Sequence, residues 1–169
     1  GDGSSEKWSD AEGNSLAISS NGDAFLATRG LGHNIIKISS DGTFQDLALS
    51  AGLEWTWLTT DLFGNLYGNV WAGTGQGLYS INTTTGEYLN LHNGGPSNGG
   101  GGHYSDMVFG IDGFLYTLGF DGDFGLFKWD EGFTKAASLP HAGIGLTVDS
   151  QGVFYTATNY GSSFDEVWK

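Results

Sequence analysis

The stretch "GLEWTWL" (52–58) sets Glu54 beside Trp55 and Trp57. A carboxylate next to an aromatic face is a common way to hold a sugar ring or an apolar ligand. The spacing predicts both indoles on one side of a strand start, where Trp55 serves equally well as ligand face or packing residue and Trp57 reads as core. His103 and Tyr104 end the stretch "HNGGPSNGGGGHY", and His141 stands before a second apolar run. Imidazoles transfer protons and bind metals near neutral pH. None of the four histidines, His33, His92, His103 and His141, has a partner at a fixed metal-site spacing, so exposed loop histidines are the competing reading. In "FDGDFG" a glycine separates Asp121 from Asp123, which lets two carboxylates approach one calcium ion. Calcium takes roughly six to eight oxygens, and this stretch offers few, so solvated turn acids are the alternative. No nucleophile elbow, zinc signature or dinucleotide fingerprint is present, and Arg29 is the sole arginine. The candidate ligand set is therefore Glu54, Trp55, His103, Tyr104 and His141. The candidate metal pair is Asp121 and Asp123, with calcium the one cofactor considered. No catalytic residue is assigned.

These residues need a scaffold, and the composition bounds it. The 169 residues suffice for one domain with a core. Cysteine is absent, which excludes a disulfide framework and thiolate metal sites. Nineteen acidic residues against six basic ones give a net charge of −13. Such a surface repels phosphate backbones and anionic lipid, so nucleic acid is not an expected partner. No apolar run is long enough to span a membrane as a helix. The chain opens at Gly1 without an initiator Met, and it reads as a processed, exported segment, extracellular, cell-surface or periplasmic. Thirty glycines, two prolines and abundant Thr, Tyr, Phe and Trp predict many short strands joined by tight turns.

One unit recurs. "LAISSNGDAFLATR", "TWLTTDLFGNLYGNVW", "MVFGIDGFLYTLGF" and "LTVDSQGVFYTAT" each read strand, turn, strand, with turn glycines Gly22, Gly64, Gly113 and Gly152. A second hairpin follows the first three, at Gly42, Gly86 and Gly132, and the fourth begins at "DEVWK". Asn-Gly and Asp-Gly pairs predict two-residue hairpin turns. Asp61 and Asp149 are expected to accept backbone amides of their own turns, and Asp23, Asp41 and Asp112 read as turn residues. Strands are expected at 16–19, 24–29, 34–39, 43–49, 56–61, 66–71, 77–82, 87–91, 105–111, 115–120, 125–130, 134–139, 145–149, 153–159 and 165–169. The sixteenth, 4–9, is expected to pair with 165–169 and close the fourth unit.

Units of about 42 residues with four strands match propeller blades. The repeats resemble the loosely related NHL, SMP-30/gluconolactonase-like and quinoprotein-like propellers. "LTVDSQGVFYTAT" is similar to their strand–Asp–x–x–Gly–strand unit, and "LYSINTTTGEYLNL" to their outer hairpin. The expectation is an all-β propeller of four four-stranded blades in one domain: about 10–49, 50–92, 103–140, and 141–169 with 1–9. The leading functional reading is a non-enzymatic module that binds a small molecule or glycan or a protein surface, or pairs with copies of itself. The resemblance also implies a rival, a metal-dependent enzyme of lactonase or lyase type. A further alternative is half of a larger ring.

Overall fold

The computed structural model describes residues 13–28, 35–47, 53–70, 75–96, 104–119, 123–158 and 166–169. All regular structure among them is β, in four antiparallel sheets. The first sheet holds β1 (Gly13–Ile18), β2 (Ala24–Thr28), β3 (Ile35–Ile38) and β4 (Phe44–Leu47). The second holds β5 (Trp55–Thr60), β6 (Leu66–Val70), β7 (Gly77–Ile81) and β8 (Tyr88–Asn93). The third holds β9 (Tyr104–Phe109), β10 (Leu115–Gly119), β11 (Gly125–Trp129) and β12 (Phe133–Ser138). The fourth holds β13 (Gly143–Val148), β14 (Phe154–Thr158) and β15 (Glu166–Trp168). Each sheet is a meander in chain order. This is the four-bladed propeller architecture that the repeats predict. The proposed closing strand, 4–9 with Trp8, lies outside the described residues.

Local chemistry makes the hairpins. In the first, the Gly22 N–H donates to the Ser19 carbonyl at 2.9 Å, and the Ser19 N–H donates to the Asp23 carbonyl at 2.9 Å. Gly22 has φ 88°, the left-handed conformation that completes a three-residue connection. The predicted two-residue turn is thus one residue longer, because only the glycine, and not the Asn before it, takes positive φ. Gly132 departs from its expected role: Glu131 takes positive φ (55°) instead. The Asp61 Oδ1 accepts the N–H groups of Phe63 and Asn65, each at 2.9 Å. Asp149 repeats this with Gln151 at 2.9 Å and Val153 at 3.0 Å. Both carboxylates lock their turns as anticipated.

The sheets stack face on face. The first packs on the second through Phe25, Ala27, Ile35 and Leu47 against Trp55, Leu58, Leu66 and Tyr79. The second packs on the third through Trp57, Leu78 and Leu91 against Met107, Leu115 and Trp129. The third packs on the fourth through Tyr116, Leu118 and Leu126 against Leu146 and Phe154. Accordingly β1 lies beside β5, β5 beside β9, and β9 beside β13. Among the described residues β13 and β1 form no such packed pair, so the four sheets make an open arc.

Candidate functional site

The innermost strands of the four blades line an open channel of about 340 Å³. Its walls include Ser15, Ile18, Thr59, Thr60, Asp106 and Leu146. Two side chains there bridge neighbouring blades. The Ser15 Oγ accepts the Leu58 N–H at 3.0 Å, and the Asp106 Oδ2 accepts the Leu146 N–H at 2.9 Å. Ser15 and Asp106 each stand seven residues before their turn glycine, so one repeat position serves both joints. Burial raises the Asp106 carboxyl above its ordinary value, although the N–H groups of Leu146 and Met107 oppose the shift. A carboxyl raised by desolvation inside a channel is the kind of group that takes up and gives back a proton. Among the described residues no group of three or more His, Cys, Asp or Glu is placed to hold a metal ion.

Reading the sequence did not single out Asp106. The signal was available: it is the one acid at the repeat position occupied by Ser15, Trp57 and Gly145 in the other blades.

The candidate ligand residues that lie among the described ones occupy different settings. Trp55 is 0% exposed. Its ring meets Tyr79 and Tyr88 edge-on, at centroid distances of 5.4 and 5.8 Å, and it sits between the first and second sheets. A ring buried there offers no free face to a ligand. Trp57 points the other way, toward the third sheet. A β-bulge between Trp55 and Leu58 breaks the alternation that would have put the two indoles on one side. Glu54 is exposed just ahead of β5, and His141 is exposed between β12 and β13. The Tyr104 backbone pairs with Gly119. His103 and Asp121 lie outside the described residues. Asp123 forms an ion pair with Lys135. His92 packs edge-on against Trp129 and Phe133, at 5.5 and 5.1 Å, and helps join the second blade to the third.

No protein-family model matches the sequence, and no curated protein matches it. Solved structures do match the fold. A gluconolactonase from Xanthomonas campestris superposes with TM-score 0.72 at 14% identity, over 94% of this chain and 59% of that one. A catalytically inactive virginiamycin B lyase from Staphylococcus aureus gives TM-score 0.67 at 16% identity, over 91% and 54%. The PQQ-bound aldose sugar dehydrogenase of Streptomyces coelicolor gives 0.69 at 14%, over 94% and 60%. The chain therefore shares the architecture of the SMP-30-like and quinoprotein-like propellers. It spans somewhat more than half the length of these structures.

Proposed function

We propose that the chain is a non-enzymatic, exported propeller module that works by association, its blades packing against further blades to complete a larger ring. One observation carries this reading. Leu16, Leu58, Met107 and Leu146 hold the same place in successive blades, six residues before the turn glycine. The last three are 3%, 4% and 8% exposed, each covered by the blade before it, whereas Leu16 is 57% exposed. Ile18, on the same face of β1, is 63% exposed. Burying such side chains stabilises by about 1.5–3 kcal/mol each, which gives the uncovered face a reason to associate. Light scattering on the purified chain tests the reading: a mass above that of one chain is expected, and a monomer at every accessible concentration overturns it.

A second reading rests on the raised Asp106 carboxyl in the channel and on neighbours that are a lactonase, a lyase and a dehydrogenase. Under it, Asp106 serves a small substrate held in the channel, and a divalent metal there would need ligands beyond this one carboxylate. Calorimetric titration with calcium and zinc separates the two readings. Stoichiometric tight binding that is lost in Asp106→Asn favours the enzyme.

A further inference from the structure

We propose that the open face of the first sheet docks against the open face of the fourth sheet of a second copy, so that two chains close one eight-bladed ring. This rests on the reading that the chain works by association, and it names the partner and the joint.

The argument starts from the repeat. Within the chain, each blade offers the next a face centred on an aromatic three residues after the turn glycine: Phe25, Tyr67 and Tyr116. Phe25 is buried between the first and second sheets. Tyr67 meets Phe109 of the third sheet at 5.0 Å, and Tyr116 meets Phe154 of the fourth at 4.4 Å. Tyr155 holds the same place in the fourth blade. The pairings of β13, β14 and β15 put Thr147, Tyr155, Ala157 and Val167 on one face of that sheet, and Val167 is 75% exposed. That face is made like the three that cover a neighbour, and among the described residues no sheet lies under it.

The receiving face is equally specific. Pairing across the first sheet puts Leu16 and Ile18 on the same side as Leu26, Ile36 and Phe44. This is the side turned away from the second sheet. Phe44, at 51% exposure, completes an apolar strip across the sheet. Between Ile18 and Phe44 on this face Ala24 and Ile38 are only 8% and 6% exposed, so the exposed apolar side chains are those of Leu16, Ile18 and Phe44, and large exposed apolar side chains grouped on one face mark an interaction site. The complement needs no unknown partner, since the fourth sheet carries it. The chain's own fourth sheet stands at the far end of the arc, with β13 packed on β9, and so the supply falls to another copy. A heterologous joint of this type either closes into a ring or runs on as a fibre. Two copies related by a twofold axis make the joint twice and leave no face open.

Directed cross-linking tests the joint. Ala27 and Leu58 share one inter-sheet cluster, and Leu118 and Leu146 share another. The equivalent pair at the new joint is Ala157 of one copy with Leu16 of the other. The chain has no native cysteine, so Leu16→Cys and Ala157→Cys place unique thiols. A mixture of the two single variants, treated with a short bis-maleimide, should give a cross-linked dimer, and either variant alone should give little. Leu16→Asp should weaken association by about thirtyfold or more, as loss of a central apolar anchor does, and Leu89→Asp on β8 should leave it unchanged. Circular dichroism confirms that each variant folds, and Ala157→Asp repeats the test from the opposite side. An oligomer without the 16–157 cross-link overturns this joint while leaving association standing. A cross-link formed inside one doubly substituted monomer overturns the two-copy ring. A monomer throughout overturns both the joint and the association.

Discussion

The Ser15 hydroxyl accepts the backbone N–H of Leu58 at 3.0 Å and ties the innermost strand of the first blade to that of the second. Asp106 does the same for Leu146 at 2.9 Å. At the joint between the second and third blades Met107 turns its N–H to the Asp106 Oδ1 at 2.8 Å instead. Asp106 therefore holds together the inner strands of the third and fourth blades, at the cost of burying a carboxyl. Its folded-state pKa lies above the ordinary 3.8. The stabilisation from its protonation is complete below 3.8 and is lost as pH rises through the raised value.

Comparison of wild type with Asp106→Asn isolates this effect. The difference in unfolding free energy should shift in favour of the wild type as pH falls from neutral toward 3.8, and then level off. Urea melts at a series of pH values read it directly. A difference that stays constant with pH contradicts the burial of this carboxyl.

Asp23 has the opposite sign. The Lys37 ammonium, 2.9 Å from its Oδ2, holds the Asp23 carboxyl below the ordinary 3.8 against the opposing effect of burial, and the Ser40 and Asn21 hydrogen bonds assist. This contribution is present above 3.8 and is lost as pH falls through the lowered value. Lys37→Met leaves the carboxylate half of a largely buried pair unmatched and should cost about 1–3 kcal/mol at pH 7. The cost should shrink on acidification. Thermal melts of both proteins at pH 7 and pH 3 check the direction.

Trp55→Ala should behave as a core deletion. Removing a fully buried indole between the first two sheets costs about 3–5 kcal/mol, and no added sugar should protect the Trp55 ring in the wild type. Denaturant unfolding measures the first, and quenching of Trp fluorescence with and without simple sugars measures the second. A sugar-dependent change that vanishes in a folded Trp55 variant contradicts the core assignment.

Asp61→Ala removes the acceptor for two turn amides, those of Phe63 and Asn65. The expected loss is about 1–2 kcal/mol. The same change at Ser20, an exposed turn residue, should be nearly neutral.

The strands and turns were legible because their determinants are local. An Asp that can reach its own turn amides and a Gly that tolerates positive φ specify a hairpin without reference to the rest of the chain, and fifteen expected strands lie where the structure has them. The faces were harder to read. One bulged residue between Trp55 and Leu58 reverses the side on which every later residue of β5 falls, and no residue type announces a bulge. The expectation that Trp55 and Trp57 share one side assumed alternation through β5, and the bulge removes it. Asp106 escaped notice because its importance comes from Leu146, forty residues away in sequence. The exposed face of β1 was equally hidden: Leu16 and Leu58 look alike in sequence and differ in that, among the described residues, a sheet lies over Leu58 and none over Leu16.

Hydroxyl-radical footprinting of Leu16 and Ile18, with Leu89 as the exposed reference at 65%, tests the central claim most directly. Both residues should be reactive in dilute protein and become protected as concentration rises, with Leu89 unchanged. Leu16 and Ile18 remaining as reactive as Leu89 at every concentration would contradict association through the first sheet.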